Sequence, residues 1–218
     1  MCGRYSISTS IEELIEFYGI SYEGPEFSPY FNAAPGYDLP IILNEDPNLL
    51  QLLHWGIKPK WFKAKTGLIN IRAETLREKN TFKKLFENKR CIIPSTGFYE
   101  WQKSSSGKKI PYHIKVKDEK IFSFAGVWDD VKDEKTGEII RSFSIITTET
   151  NELLKDIHNR MPVILPKEYE EEWLNVDTPL SSAADLLIPY DSNTMEAYII
   201  SDKINRPTNN SAEIINPA

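Results

Sequence analysis

The sequence has few cysteines and histidines and no long hydrophobic run. Its 218 residues include two cysteines, Cys2 and Cys91, and three histidines. Two cysteines are too few for a disulfide framework, and neither they nor the scattered histidines have the spacing of metal ligands. No apolar stretch approaches the roughly 20 residues of a membrane-spanning helix, and the start lacks the charged and apolar regions of a signal peptide. We therefore expect a cytoplasmic, intracellular protein that uses no metal and no other cofactor.

The composition is that of a globular chain. Hydrophobic residues make up 40% of the sequence and aromatic residues 11%, which is enough to bury a full core. The sequence contains no internal repeat, low-complexity tract or linker. We predict one domain that spans residues 1–218.

The acidic net charge of −6 conceals one basic segment. Residues 54–90 contain eleven lysines and arginines against three acids, a net charge of +8 that leaves −14 for the rest of the chain. This segment also contains Trp55, Trp61 and Phe62, and basic residues interleaved with aromatic ones are typical of a groove that binds a polyanion. A solvated helix face over residues 75–86 beside core tryptophans would give the same pattern. Composition alone leaves both interpretations open.

The secondary-structure signals predict an α+β fold that is mostly antiparallel β. Ser10 and Glu13 form a capping box before a helix that ends at Gly19, and a second helix is predicted after Thr75. Short helices are predicted at 167–174 and 182–187, and hairpin loops at 104–107 and 133–137. Segments rich in β-branched and aromatic residues predict strands at 110–116, 121–128, 141–147 and 195–200.

The second residue has the most distinctive chemistry. Removal of Met1 would leave Cys2 with a free α-amine beside its thiol, and a 1,2-aminothiol captures aldehydes. About a third of an α-amine with a pKa of ~7.8 is neutral at pH 7.5, against about a tenth of a percent of a lysine. The amine forms an imine, and the thiol closes it to a stable thiazolidine ring. Arg4 adds an anion-binding fork nearby, although Cys2 is equally compatible with a small buried residue in a first strand.

Three further segments contain candidate chemistry. Asn70 and Arg72 are two residues apart, so in an extended chain they point to one side and could hold an oxygen and a phosphate. Glu100 lies among aromatic residues, an environment that raises a carboxyl pKa and suits it to proton transfer. His158 lies in a polar loop, two residues before Arg160. An edge strand, a surface glutamate and a structural histidine are the plainer interpretations of the three segments.

Seven motifs follow one another along the chain. They are MCGRY at 1–5, FNAAP at 31–35, HWGIKPKW at 54–61, NIRAET at 70–75, CIIPSTGFYEW at 91–101, FAGVWD at 124–129 and HNRMPVIL at 158–165. Together they resemble the SRAP family of abasic-site processing proteins, which sense damage in single-stranded DNA. Several independent motifs in the right order are more specific than any one of them. The resemblance implies a compact, barrel-like SRAP fold with short helices around a cleft for single-stranded DNA.

The resemblance also implies residue roles. Cys2 would capture the ring-opened aldehyde of an abasic site as a thiazolidine crosslink, Asn70 would orient the adduct, and Glu100 and His158 would move protons. The implied partner is single-stranded DNA containing an abasic site, with no membrane partner, and the protein would be a monomer associated with the nucleoid when acting on DNA. The implied DNA-binding residues are Arg4, Asn32, Trp55, Trp61, Arg72 and Arg160.

The resemblance leaves side activities and two other functional classes open. An abasic-site lyase reaction and a peptidase-like self-removal of Met1 are both compatible with it. N-terminal-nucleophile glutamine amidohydrolases also begin with Met-Cys-Gly and use the thiol to attack an amide. A non-catalytic module for single-stranded DNA would instead use the basic, aromatic segment and leave Cys2 dispensable.

Overall fold

Strands build most of the structure, a computed structural model that describes residues 2–59, 67–132 and 136–218. Within these ranges the strands are β1 (Tyr5–Ile7), β2 (Ser21–Tyr22), β3 (Tyr30–Ala33), β4 (Asp38–Leu43), β5 (Asp46–Trp55), β6 (Asn70–Arg72), β7 (Arg90–Ser95), β8 (Gly97–Lys103), β9 (Lys109–Val116), β10 (Phe122–Lys132), β11 (Ile139–Glu149), β12 (Arg160–Pro162), β13 (Ile164–Leu165) and β14 (Met195–Ile199). The helices are α1 (Ile11–Tyr18), α2 (Ala73–Glu78), α3 (Asn80–Asn88), α4 (Glu170–Leu174) and α5 (Leu180–Asp185), with 3₁₀ turns at Lys167–Tyr169, Ser192–Thr194, Asp202–Asn205 and Ala212–Ile215.

The strands form two sheets. The smaller sheet has the order β14-β9-β8-β1-β3, and its pairs are antiparallel. The larger sheet has the order β12-β11-β10-β7-β4-β5-β2, and a parallel pairing of β5 with β11 closes its five central strands into a barrel. The predicted α+β class, mostly antiparallel and barrel-like with short helices, is confirmed.

Local sequence signals place several elements correctly. Ser10 accepts a hydrogen bond from the Glu13 N–H, and Gly19 ends α1 in the left-handed region with a φ of 67°. Each predicted strand is found, and β10 and β11 extend beyond their predicted bounds to form a long antiparallel hairpin. The helix predicted at 167–174 is a 3₁₀ turn followed by α4, and the helix predicted at 182–187 begins two residues earlier as α5. The loop at 133–137 lies partly outside the described residues.

The helix predicted after Thr75 is wrong in its bounds. The β6 ladder with β11 ends at Arg72, and α2 begins at the next residue, so Thr75 lies inside the first turn. Lys79 then has an extended backbone, with φ −101° and ψ 120°, and separates α2 from α3. Helix α3 buries Phe82 and exposes Lys84. This part of the basic segment therefore agrees with the interpretation as a solvated helix face.

Three pairings position the residues of interest. β1 pairs with β8, so the residues just before Tyr5 lie beside the middle of β8. Near its C-terminal end, β11 pairs in parallel with β6 and in antiparallel with β12, and Thr147 on β11 is the partner of Arg72 on one side and of Pro162 on the other. No helix within the described ranges is long and apolar enough to cross a membrane.

Candidate functional site

The four predicted catalytic residues lie together, at the start of β1 and around the C-terminal end of β11. Cys2 is fully buried, and its carbonyl oxygen accepts a hydrogen bond of 2.8 Å from Asn70 Nδ2 on β6. The Cys2 thiol lies 3.5 Å from the carbonyl oxygen of Arg4. We call Cys2, Asn70, Glu100 and His158 the reactive cluster.

Glu100 supplies a buried carboxyl group to this cluster. It lies on β8, is only 4% exposed, and its burial raises its pKa to about 7. The raised pKa expected from the sequence is therefore confirmed. Burial, followed by the nearby Glu100 carboxylate, also raises the pKa of the Cys2 thiol. At neutral pH the thiol is protonated, and Glu100 is divided between its acid and its base form.

His158 faces Glu100 across a short gap. The distance from His158 Nε2 to Glu100 Oε2 is 3.9 Å. Burial lowers the pKa of the imidazole, so the ring is neutral at pH 7. His158 Nδ1 lies 3.1 Å from both the N–H and the carbonyl oxygen of Arg160. It accepts from the first in one tautomer and donates to the second in the other, so Nε2 is either a proton donor or an acceptor toward Glu100.

Buried polar atoms without partners lie around the cluster. Asn70 Oδ1, Thr147 Oγ1 and Arg160 Nε are buried, and none has a hydrogen-bond partner in the described part of the chain. Since buried polar groups are nearly always hydrogen-bonded, such atoms indicate groups that a ligand would satisfy. Thr147 was missed in the sequence, where its position in a run of strand-forming residues gives no functional signal.

Two predicted DNA-binding arginines, Arg72 and Arg4, are close in the sequence to members of the reactive cluster. Arg72 is exposed at the end of β6, two residues after Asn70. Arg4 is half-buried, and its Nη1 donates to Asn32 Oδ1 at 2.6 Å and to the Ile204 carbonyl at 3.0 Å. Each of the two arginines is thus two residues from a reactive-cluster member in the sequence.

Two other predicted DNA-binding residues belong to the interior. Trp55 is fully buried, stacks on Phe143 at a centroid distance of 6.2 Å, and donates its indole N–H to the Ile69 carbonyl. Asn32 is also fully buried, and its amide donates to three carbonyl groups of the C-terminal segment, those of Ile204, Arg206 and Asn209. Neither side chain has surface to offer DNA in this conformation, so both assignments are corrected. Trp61 lies outside the described residues.

Arg160 makes a contact that the sequence did not indicate. Its two Nη atoms donate to the two carboxylate oxygens of Glu74 at 2.7 and 3.0 Å, and Nη2 also donates to the Thr147 carbonyl at 2.5 Å. Arg160 therefore binds a protein carboxylate in this structure.

Among the residues that the structure describes, no group of three histidine, cysteine or acidic side chains is arranged to hold a metal ion.

The chain is similar in sequence and in structure to known proteins. The chain is 43% identical to "Abasic site processing protein YoaM" of Bacillus subtilis (strain 168) over 225 residues, which cover 99% of this chain and 97% of that protein. It is 29% identical to "Abasic site processing protein HMCES" of Xenopus tropicalis over 226 residues, covering 88% and 67% of the two chains. A crystal structure of a Bacteroides thetaiotaomicron protein superimposes with a TM-score of 0.91 and 35% identity over 100% of both chains.

The family profile of the SOS response associated peptidase (SRAP) matches residues 1–207. This match covers all four members of the reactive cluster. It confirms the resemblance carried by the seven motifs. The chain belongs to the SRAP family.

Proposed function

We propose that this protein captures abasic sites in single-stranded DNA as a covalent adduct with Cys2. The observation that carries the proposal is the reactive cluster itself: an aminothiol precursor at the second residue, beside a carboxyl group whose pKa is about 7. The relatives named as abasic site processing proteins support DNA carrying abasic sites as the substrate. The substrate aldehyde is the ring-opened form of the deoxyribose left when a base is lost.

The chemistry begins with removal of Met1, which frees the α-amine of Cys2. The amine attacks the C1′ aldehyde, and the resulting carbinolamine loses water to form a Schiff base. The Cys2 sulfur then adds to the imine carbon while its proton leaves, and the imine nitrogen gains a proton. One water is released overall, and the product is a thiazolidine with no good leaving group beside it.

Glu100 is suited to both proton transfers in this sequence. A group with a pKa near the working pH is partly acid and partly base, so it can protonate the departing hydroxyl and later accept the thiol proton. The second transfer is needed because burial keeps the Cys2 thiol protonated at neutral pH. Glu100 therefore acts as general acid in dehydration and as general base in ring closure.

His158 and Asn70 act on the sugar and on the position of Cys2. A neutral imidazole can accept the proton of the anomeric hydroxyl and return it to the ring oxygen, which opens the sugar to its aldehyde. Asn70 holds the Cys2 carbonyl and thereby fixes the residue that bears the nucleophile. The buried Asn70 Oδ1 and Thr147 Oγ1 are available to the hydroxyl groups of the open sugar.

DNA binding rests on the arginines around the cluster. We assign a phosphate contact beside the lesion to Arg72, which is exposed. Arg4 would join it by turning from Asn32 and the Ile204 carbonyl, and Arg160 only by exchanging its carboxylate partner. An abasic site has no base edge to read, so selectivity comes from the aldehyde and we expect little sequence preference. The lesion must also reach a buried thiol, which favours a flexible single strand over an intact duplex.

Two side reactions follow from the same chemistry. A Schiff base at C1′ makes the neighbouring C2′ proton acidic, so slow ring closure would allow β-elimination and strand cleavage, an abasic-site lyase reaction. Removal of Met1 by the protein itself would account for the peptidase in the family name. An ordinary methionine aminopeptidase acting before a small residue would give the same product.

The experiment uses Met1-processed protein, with its free α-amine verified by mass spectrometry. It is incubated with a single-stranded oligonucleotide carrying one abasic site and run on a denaturing gel after heating. We expect a shifted, heat-resistant band. The Cys2→Ala variant, which retains Cys91, and an oligonucleotide with all bases intact are the matched controls, and neither should give the band.

Other outcomes would contradict the proposal. The absence of a band from processed wild-type protein would exclude covalent capture. Glutamine hydrolysis that requires Cys2 would instead support an amidohydrolase. Single-strand binding that survives Cys2→Ala, with no adduct in wild-type protein, would support a non-catalytic module.

A further inference from the structure

The ion pair between Glu74 and Arg160 lies next to the reactive cluster but contains no member of it. The pair is bidentate, with both Nη atoms of Arg160 on both oxygens of Glu74. The Arg160 side chain is 9% exposed, whereas that of Glu74 is 51% exposed. Arg160 is thus the buried partner, and Glu74 at the start of α2 reaches across to it. The fork geometry fixes the plane of the guanidinium group.

Arg160 in turn contacts His158 through its backbone. The N–H and the carbonyl group of Arg160 both lie 3.1 Å from His158 Nδ1, and only one of them bonds to it in a given tautomer. The backbone of Arg160 therefore supplies the hydrogen-bond partner of Nδ1 in either tautomer. It also sets the direction of Nε2, which lies 3.9 Å from Glu100 Oε2.

We propose that Glu74 is a positioning residue that fixes the orientation of His158 by clamping Arg160. This inference deepens the proposed function, on which its kinetic consequences rest. The Arg160 side chain is held at its far end by Glu74 and by the Thr147 carbonyl, so its backbone at the start of β12 has little freedom. Loss of the clamp leaves the β11–β12 ladder and the Thr147 carbonyl as restraints on Arg160. His158 then samples a wider range of distances to Glu100.

The alternative role for Glu74 is competition with DNA for Arg160. Three donated hydrogen bonds already occupy the Nη atoms of Arg160, and the remaining Nε is buried. A phosphate would have to displace a bidentate carboxylate to reach the guanidinium group. Positioning requires no such displacement, and this favours it over competition.

The groups that face His158 come from several elements. They are the Glu100 carboxyl on β8 and the backbone N–H and carbonyl group of Arg160 at the start of β12. Glu74→Gln removes the charge of the clamp as well as its second strong acceptor. Glu74→Asp keeps the charge and one carboxylate, and Glu78→Gln, one turn further along α2 at an exposed position, is the matched control for loss of a surface glutamate.

The first readout is independent of DNA. The full chain has three histidines, so ¹⁵N-histidine labelling gives three imidazole spin systems, and loss of signals in His158→Gln assigns the relevant one. We expect Glu74→Gln to move the His158 Nδ1 and Nε2 shifts and its titration midpoint by about half a pH unit or more. The signals of His54 and His113 should not move. Glu74→Asp should restore most of the change, and Glu78→Gln should match the wild-type protein.

The second readout is crosslink formation. In Glu74→Gln we expect a rate constant about tenfold lower and a displaced pH profile, with binding to tetrahydrofuran-containing DNA, which has no aldehyde, unchanged within about twofold. Unchanged His158 spectra in folded Glu74→Gln protein would overturn the proposal, as would tighter tetrahydrofuran-DNA binding with an unchanged pH profile. If wild-type protein formed no crosslink, the proposed function would fail, and the imidazole spectra alone would decide whether Glu74 positions His158.

Discussion

Two buried glutamates, Glu100 and Glu170, differ in the groups that surround their carboxyl oxygens. Glu170 Oε2 lies 2.7 Å from the Lys167 ammonium group, and Oε1 accepts a 2.5 Å hydrogen bond from Ser123. The Ser123 hydroxyl is in turn 2.8 Å from the Tyr18 hydroxyl. The Glu170 carboxyl group is paired with a cation and with a short chain of hydroxyl groups, and it ties α4 to β10 and α1.

Glu100 faces an imidazole and a thiol instead. Its Oε2 is 3.9 Å from His158 Nε2, and burial raises its pKa to about 7. A charged, well-paired carboxylate stabilises a fold but is a poor proton donor at neutral pH. The comparison shows that the environment rather than the residue type separates a structural glutamate from a chemically useful one.

The largest expected effect is at Cys2, within the reactive cluster. Cys2→Ser keeps the α-amine after Met1 removal but lacks the thiol that closes the thiazolidine. We expect the yield of heat-stable adduct to fall by about 100-fold or more, and the fraction of cleaved strand to rise, because the Schiff base persists. Denaturing gels run with and without heating measure both products. An undiminished heat-stable adduct in Cys2→Ser would contradict the ring-closure step.

The second prediction compares the two glutamates directly in crosslinking. Glu100→Gln should lower the rate constant by about 100-fold, since general acid–base catalysis contributes a factor of about 10² to 10⁴. Glu170→Gln should leave the rate constant within about twofold of the wild-type value, because the partners of Glu170 are Lys167 and Ser123, which are not members of the reactive cluster. Single-turnover crosslinking at pH 7 measures both. Equal losses in the two variants would show that Glu100 has no special role.

The third prediction concerns the free energy of unfolding, on which Glu100→Gln and Glu170→Gln should have opposite effects. Glu100 has a folded pKa of about 7 against an ordinary value of 4.5, so between these values the folded state binds more protons than the unfolded state. The contribution of Glu100 to the free energy of unfolding is therefore fully present below pH 4.5. It is lost as the pH rises through 7, and the total loss is about 3 kcal/mol. Glu100→Gln should remove this loss and stabilise the protein at pH 8 relative to the wild type.

Glu170→Gln should destabilise the protein, because it leaves the Lys167 ammonium group and the Ser123 hydroxyl with a weaker partner. We expect a destabilisation of about 1–3 kcal/mol. Urea unfolding at pH 5 and pH 8 measures both variants. A Glu100→Gln protein that is no more stable than wild type at pH 8 would contradict the raised pKa.

The smallest expected effects are those of replacing Asn70 and Asn32, which should differ in crosslinking rate and in stability. Asn70→Ala should slow crosslinking by about tenfold with little change in stability, because it loses one hydrogen bond to the Cys2 carbonyl. Asn32→Ala removes three donated hydrogen bonds to the C-terminal segment and should lower the free energy of unfolding by about 2–3 kcal/mol. Thermal melts and crosslinking rates distinguish the two. A similar pattern in both variants would show that Asn70 is only structural.

The sequence predicts those features that depend on neighbouring residues. The capping box at Ser10 and the predicted strand positions are local patterns, and each is present in the structure. The raised pKa of Glu100 was also accessible, because the aromatic residues beside it in the sequence share its buried strand.

The sequence does not predict the contacts that depend on strand pairing. Trp55 looked like a stacking surface because its neighbours are basic, yet the parallel pairing of β5 with β11 places it against Phe143 in the core. The pairing of Glu74 with Arg160 joins residues 86 positions apart. Thr147 gives no local signal, and it matters only because β6 and β12 both pair with β11 beside it.

Intact mass spectrometry of the adduct tests the central claim most directly. Processed protein is mixed with a single-stranded abasic oligonucleotide, without a reducing agent, and then treated with iodoacetamide under denaturing conditions. We predict a species with the summed mass of the two molecules less one water, increased by a single carbamidomethyl group, which lies on Cys91 while Cys2 is protected. An adduct that appears only after borohydride reduction, or one in which Cys2 is alkylated, would contradict thiazolidine capture.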